Sequence, residues 1–207
     1  MQPLIKVCGL TRQEDLTLVE KLGFDFAGFI FASKSPRFLQ PVKAASLTSS
    51  SIKRVGVFVD AYVEEIVATM QQANLHLAQL HGLYSVSDCE RIGVERVIKV
   101  FWPERYKNIQ DFQHELDSYT EACSMFLCDA GTSGGGSGKP FDWSVLDKIK
   151  PLRPMMLSGG LTPALALTAW QQAGGSLAGL DVNSGVEEHP GIKNRVLLES
   201  LRANFVI

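Results

Sequence analysis

A strand, a helix and a second strand follow one another in residues 154–185, which read PMMLSGGLTPALALTAWQQAGGSLAGLDVNSG. The apolar runs 154–158 and 177–182 predict buried strands, because they are continuous rather than alternating. Between them, residues 162–173 have the apolar spacing of a helix, with Thr162-Pro163 as a candidate N-cap and first helical residue. Two strands joined through a helix form a parallel pair. This stretch therefore predicts a parallel βαβ unit.

The same unit recurs along the chain, with further helical segments at 12–22, 62–73 and 108–121. Thr11 is a candidate N-cap for the first of these helices. The predicted strands start 18 to 30 residues apart and are 4–8, 24–31, 53–59, 77–80, 95–101, 125–129, 154–158 and 177–182. Eight such units predict an α/β fold, a single (β/α)8 TIM barrel over residues 1–207, near the short end for that fold. An open, doubly wound parallel sheet is the alternative.

Composition limits the classes of partner. The 207 residues carry a net charge of −2, so no global positive field favours nucleic acid. The chain begins without the basic and apolar regions of a signal peptide, and no apolar run approaches the roughly 18 residues that span a bilayer. Its four cysteines are irregularly spaced and form no Cys-x-x-Cys pair. We therefore expect a cytoplasmic protein with reduced thiols, no metal site, and no nucleic-acid or membrane partner.

Four polar residues, Cys8, His81, Asp129 and Asp181, lie at or near the ends of predicted strands. Barrel enzymes carry their catalytic groups at the carboxyl ends of the strands. Asp129 ends an apolar run, and a carboxylate buried there without a partner costs several kcal/mol, so a cleft or a specific bond is expected. The alternatives are a helix-capping aspartate and, for Cys8, a small buried apolar residue. A helix N-terminus near Cys8 would lower the pKa of its thiol.

Two glycine-containing turns follow the last two predicted strands, Gly159 and Gly160 in the first and Ser184 and Gly185 in the second. Barrels commonly bind phosphate at the loops after strands 7 and 8, where backbone N–H groups can approach an anion closely. We therefore expect a phosphate site there, and plain tight turns are the alternative. Arg37, after the second strand, could bind a carboxylate bidentately, although a solvated surface arginine is the commoner case.

The glycine-rich segment Gly131–Lys139 is neither a Walker A motif nor a G-x-G-x-x-G motif. Nucleotide binding is therefore not indicated. The segment is typical of a flexible lid over a site, with Lys139 as its one cationic residue.

Seven motifs occur in order along the chain. They are Lys6-Val7-Cys8-Gly9-Leu10-Thr11-Arg12, Ser35-Pro36-Arg37, Gly56-Val57-Phe58-Val59, Gln79-Leu80-His81-Gly82, Gly135-Gly136-Ser137-Gly138-Lys139-Pro140-Phe141-Asp142-Trp143, Leu157-Ser158-Gly159-Gly160-Leu161 and Asp181-Val182-Asn183-Ser184-Gly185-Val186-Glu187. Together they resemble the phosphoribosylanthranilate isomerase family from residue 5 to about residue 193. Seven motifs in order are more specific than any one of them.

The resemblance implies a barrel enzyme of tryptophan biosynthesis. Such an enzyme converts N-(5-phosphoribosyl)anthranilate, a phosphosugar, to 1-(2-carboxyphenylamino)-1-deoxyribulose 5-phosphate by an Amadori rearrangement without a cofactor. It also implies that Asp129 is the general acid, Cys8 the general base and Arg37 the ligand of the anthranilate carboxylate. The last two loops would bind phosphate, with His81 and Asp181 supporting the rim. A monomer and a homodimer both remain open.

Two other functions are the alternatives to this one. The histidine-pathway isomerase performs the same rearrangement on a related substrate but uses two aspartates, so Cys8 argues against it. A non-catalytic phosphosugar-binding barrel would be expected to lack Cys8 or Asp129, and both are present.

Overall fold

Parallel strands close into a barrel in the structure, which is a computed structural model that describes residues 2–129, 143–173 and 175–205. The barrel strands are β1 (Leu4–Val7), β2 (Phe26–Ile30), β3 (Lys53–Phe58), β4 (Leu77–Leu80), β5 (Val97–Phe101), β6 (Met125–Asp129), β7 (Met155–Ser158) and β8 (Gly179–Val182). Each strand pairs with the next, and β1 pairs with β8. The predicted barrel is therefore confirmed, and the open-sheet alternative is wrong. The predicted lid, Gly131–Lys139, lies outside the described residues.

Most of the barrel strands are separated by α-helices, and a further α-helix follows the last strand. The helices are α1 (Gln13–Lys21), α2 (Pro41–Ser46), α3 (Val63–Gln72), α4 (Val86–Ile92), α5 (Ile109–Ser118), α6 (Pro163–Ala173) and α7 (Arg195–Ala203). A short antiparallel hairpin, β9 (Glu187–His189) and β10 (Ile192–Lys193), lies between β8 and α7. Within the described ranges, no helix has the length and apolar character needed to cross a membrane.

Apolar side chains fill two separate layers, because successive residues of a strand point to opposite faces. Leu127 of β6 packs inside the barrel with Ile98, Val100 and Met156. Its neighbours Phe126 and Cys128 belong to the larger core between the strands and the helices. Burial on both faces is why these strands are continuous apolar runs in the sequence.

The two predicted helix caps have different outcomes. Thr162 caps α6 as expected, with its Oγ1 accepting a hydrogen bond from the Leu165 N–H at 3.3 Å. The Thr11 prediction is wrong, because Arg12 is the N-cap of α1. The Thr11 hydroxyl instead donates to the Gly191 carbonyl at 2.7 Å. This bond ties the β1–α1 loop to the β9–β10 hairpin, which is important for the site described below.

Gly179 of β8 lies at the seam where the barrel closes, opposite Leu4 of β1. A Cβ at Gly179 would lie 2.2 Å from the Leu4 carbonyl oxygen. Because the backbone itself would have to move, we expect Gly179→Ala to lower the free energy of unfolding by about 1–3 kcal/mol. Urea denaturation measures this change. In the control Gly175→Ala, the new Cβ meets nothing within 4 Å, and equal losses in the two variants would contradict the prediction.

Candidate active site

A cavity of about 770 Å³ opens at the carboxyl ends of the barrel strands. Eight of the nine predicted site residues line it: Cys8, Arg37, His81, Asp129, Gly159, Gly160, Asp181 and Ser184. This is the face of the barrel at which enzymes of this fold carry their active sites. Among the described residues, no group of three or more His, Cys, Asp or Glu side chains is placed to hold a metal ion.

Lys6 and Asp181 form an ion pair that is buried inside the barrel. The β1–β8 register places them opposite each other, and Lys6 Nζ donates to Asp181 Oδ1 and Oδ2 at 2.9 and 2.8 Å. Their side chains are 0% and 5% exposed. Burial opposes the charge on Lys6, but Asp181 and the Cys8 sulfur outweigh it and raise the pKa of Lys6 above its usual value. Asp181, predicted to support the rim, is the counter-ion of a buried ammonium group.

The Cys8 thiol lies next to this ammonium group. A Cβ at Gly28 would lie 2.9 Å from Cys8 Sγ and 3.1 Å from Lys6 Cε, so both side chains lie over the bare backbone of Gly28. Burial raises the pKa of Cys8 above its usual value, while the Lys6 ammonium opposes this rise. The predicted lowering by a helix N-terminus is wrong, because α1 begins only at Gln13 and a helix dipole acts over a short range.

Asp129 and His81 meet at another part of the cavity wall. His81 Nε2 lies 3.3 Å from Asp129 Oδ2, and the Asp129 side chain is 16% exposed. The imidazole packs edge-on against the Trp102 ring, with 5.2 Å between the ring centroids. The carboxylate thus lies in a cleft, the arrangement that the apolar run before it predicted. His81 contacts this carboxylate directly, which sequence position alone did not indicate.

Arg37 is held by a carboxylate rather than exposed on the surface. Its Nε donates to Glu187 Oε1 and Oε2 at 2.9 and 3.0 Å, and its Nη2 donates to Oε2 at 2.6 Å. Lys193 Nζ donates to the same Glu187 at 2.8 Å and to Asn183 Oδ1 at 3.1 Å. Burial opposes ionisation of Glu187, but these partners outweigh it and keep the pKa of Glu187 below its usual value. One carboxylate therefore lies between two cations.

Three charged residues of the site were not predicted from the sequence: Lys6, Glu187 and Lys193. Lys6 and Glu187 do lie within the quoted motifs, where a charged residue among small and apolar ones is the available signal. Lys6 also shares a strand face with Cys8. No local pattern reveals the partners, since Lys6 and Asp181 are 175 residues apart and Arg37 and Glu187 are 150 residues apart.

The two glycine-containing turns lie side by side at the cavity. Gly159 and Gly160 line it in left-handed backbone conformations, with φ of +112° and +64°. Ser184 also lines it, whereas Gly185 is absent from the lining. A Cβ at Gly185 would lie 2.0 Å from the Leu161 carbonyl oxygen, so this glycine allows the second turn to pack on the first. The pair of turns offers backbone N–H groups at one end of the cavity.

Known proteins match this chain over nearly its whole length. The model of the family described as N-(5'phosphoribosyl)anthranilate (PRA) isomerase matches residues 5–204. An N-(5'-phosphoribosyl)anthranilate isomerase of Desulfovibrio desulfuricans is 47% identical over 191 residues, covering 92% of this chain and 90% of the relative.

Solved structures agree with these sequence matches. The phosphoribosyl anthranilate isomerase of Thermotoga maritima superposes with a TM-score of 0.84 at 33% identity, covering 99% of this chain and 98% of that one. A phosphoribosyl anthranilate isomerase in complex with reduced 1-(o-carboxyphenylamino)-1-deoxyribulose 5-phosphate gives a TM-score of 0.80 at 30% identity, with the same coverage. A further Thermotoga maritima structure, of monomers generated from the dimeric enzyme, gives 0.81 at 31% identity, again with that coverage.

These matches confirm the resemblance that the seven motifs carry. The family match and the 47% identical relative each cover more than nine-tenths of this chain. The chain therefore belongs to the N-(5'-phosphoribosyl)anthranilate isomerase family, and it is an isomerase of tryptophan biosynthesis that acts on a phosphoribosyl compound.

Proposed function

We propose that residues 1–207 form a single catalytic domain, in which Cys8 is the general base and Asp129 the general acid of an Amadori rearrangement. The substrate is N-(5-phosphoribosyl)anthranilate and the product is 1-(2-carboxyphenylamino)-1-deoxyribulose 5-phosphate. The observation that carries this proposal is that a thiol and a carboxylate from β1 and β6 share one cavity with an arginine and two glycine-containing turns. A biosynthetic role on a small phosphosugar also favours a cytoplasmic location.

The first step opens the sugar ring. Asp129, as a carboxylic acid, gives its proton to the furanose ring oxygen, the bond from C1′ to that oxygen breaks, and the electron pair of the anilino nitrogen forms a Schiff base at C1′. His81, 3.3 Å from Asp129 Oδ2, acts as a positioning residue that holds the carboxyl group toward the cavity.

The second step moves a proton from carbon to sulfur. The Cys8 thiolate removes the C2′ proton, and the electron pair that is released forms the enolamine, which then tautomerises to the ketone. Because burial disfavours the thiolate, a neighbouring cation is needed, and Lys6 supplies it. Asp181 keeps Lys6 charged and fixes its position. The positive charge that favours the base is thus part of the barrel interior.

The two ends of the substrate carry its anionic groups. Arg37 binds the anthranilate carboxylate, since a guanidinium group matches a carboxylate with two parallel hydrogen bonds. Backbone N–H groups of the turns that contain Gly159, Gly160 and Ser184 bind the phosphate. Gly185 contributes indirectly, because its contact with Leu161 sets the distance between the two turns.

Removal of either proton-transfer group tests the reaction. Cys8→Ala and Asp129→Asn should each lower kcat by at least roughly 100-fold, because general acid–base catalysis contributes about that much or more. The loss of fluorescence of freshly generated phosphoribosylanthranilate measures turnover. Asp60→Asn is the matched control, since Asp60 is an exposed carboxylate just after β3 that does not line the cavity. Wild-type turnover in Cys8→Ala, or activity only on the histidine-pathway substrate, would contradict the proposal.

Replacement of Lys6 tests the origin of the thiolate. If the Lys6 ammonium favours thiolate over thiol, Lys6→Met raises the pKa of Cys8 further, so the ascending limb of kcat/KM against pH moves to higher pH. Lys6→Arg keeps the charge and should keep the limb close to its wild-type position.

Lys6→Met alone leaves Asp181 buried without its counter-ion, which costs about 3–5 kcal/mol of stability. The double variant Lys6→Met, Asp181→Asn removes both charges and tests the same role if the single variant does not fold. Because the Asp181 charge itself raises the pKa of Cys8, the limb should move in the same direction but less far. An unshifted limb in a folded variant that lacks Lys6 would contradict the role of the ammonium group.

A further inference from the structure

We propose that Glu187 determines the selectivity of the site for a carboxylated aromatic amine, by orienting the guanidinium group of Arg37. This inference rests on the proposed role of Arg37 in binding the anthranilate carboxylate. Glu187 is not among the residues that line the cavity. It acts through Arg37 and is therefore a positioning residue.

The hydrogen bonds between the two side chains occupy one edge of the guanidinium group. Glu187 accepts from Nε and from Nη2 of Arg37, at distances between 2.6 and 3.0 Å. A guanidinium group has five N–H donors in a fixed fork, and it can present two different edges to a carboxylate. With Glu187 on the Nε–Nη2 edge, the Nη1–Nη2 edge is the one left for a second carboxylate. The position of Glu187 thus decides how Arg37 meets the substrate.

Glu187 is itself fixed within the β9–β10 hairpin. Its Oε1 accepts from Lys193 Nζ at 2.8 Å and from the Gly191 N–H at 3.1 Å, and its side chain is 4% exposed. The hairpin is bonded in turn to the β1–α1 loop, where the Thr11 hydroxyl donates to the Gly191 carbonyl at 2.7 Å. It is also bonded to α1, where Asp15 Oδ2 accepts from the Lys193 N–H at 3.2 Å. Arg37 is therefore held by a carboxylate that cannot reorient without disturbing this network.

The same loop packs directly on the arginine. A Cβ at Gly9 would lie 2.6 Å from Arg37 Cδ, and the φ of Gly9 is +72°, in the region that favours glycine. Gly9 follows Cys8 directly, so the backbone segment that carries the thiol is also the segment that packs on Arg37. A carboxylate bound to the Nη1–Nη2 edge would therefore place the rest of the substrate at a defined distance from the base.

The charges of the cluster also fit a single carboxylate. Arg37 and Lys193 both form ion pairs with Glu187, which leaves one net positive charge in the cluster, and Arg37 is its member that lines the cavity. A neutral residue at position 187 would leave two adjacent cations, which repel each other and no longer define the guanidinium plane. Arg37 would keep its charge but lose its orientation.

Two substrates separate this role from a merely structural one. Condensation of ribose 5-phosphate with anthranilate or with aniline gives phosphoribosyl adducts that differ only in the carboxylate, and chromatography of the products gives kcat/KM for both. In Glu187→Gln we expect kcat/KM for the anthranilate adduct to fall at least roughly tenfold, mainly through KM, as for a lost charge-assisted hydrogen bond. The value for the aniline adduct should change less than about twofold, so the ratio of the two values falls.

Matched variants complete the experiment. Glu188→Gln is the control, because Glu188 is the next residue, is exposed, and contacts the Asn194 side chain outside the cavity. It should leave both values unchanged. Glu187→Asp keeps the charge but shortens the side chain by one methylene group, and it should lower the same ratio even if Glu187→Gln does not fold.

The outcomes distinguish a positioning role of Glu187 from a merely structural one. Equal losses on both adducts, or a wild-type ratio in folded Glu187 variants, would overturn the inference. Arg37→Ala should collapse the ratio by itself, and an unchanged ratio there would instead contradict the proposed role of Arg37. If Arg37→Ala removes the selectivity, the double variant Arg37→Ala, Glu187→Gln should show no further loss of it, because Glu187 acts only through the arginine.

Discussion

The buried ion pair between Lys6 and Asp181 connects the closure of the barrel to its chemistry. It joins the first and last strands, and the two residues stand opposite each other only because β1 pairs with β8. Removal of two charges from water costs several kcal/mol for each ion, and apolar residues of similar volume would serve stability at least as well. The position of the pair next to Cys8 gives a reason for its presence, because a buried thiol needs a cation beside it to become a base.

A second polar cluster, formed by Arg37, Glu187 and Lys193, lies at the rim and serves carboxylate binding in the mechanism that we propose. Its carboxylate lies between two cations, and the hairpin that carries it is bonded to the loop after β1. Both clusters therefore depend on contacts between the two ends of the chain. Catalytic and binding groups in a barrel come from different strands, so their relative positions are fixed only when the strands close.

The strands and most helices were predictable because burial on both faces produces continuous apolar runs, and helices between them have their own spacing. Residues at strand ends were also predictable, since Cys8 and Asp129 end such runs and parallel strands end at one edge. The environment of Cys8 was not predictable in the same way. A helix N-terminus was expected to lower the pKa of its thiol, whereas burial raises it and Lys6 opposes the rise. The ion pair that holds Lys6 joins residues 175 positions apart, which no local pattern contains.

The different surroundings of Cys8 and Asp129 suit the roles of base and acid that we propose for them. Cys8 is almost fully buried, next to a charged lysine whose counter-ion is itself buried. The Asp129 side chain is partly exposed to the cavity, and its Oδ2 lies 3.3 Å from Nε2 of the His81 imidazole. An acid and a base in one site need different environments, because opposite protonation states must be favoured in the two groups. A barrel achieves this by taking one group from β1 and the other from β6, so that the cation that favours the thiolate belongs to the strand of the base and not to that of the acid.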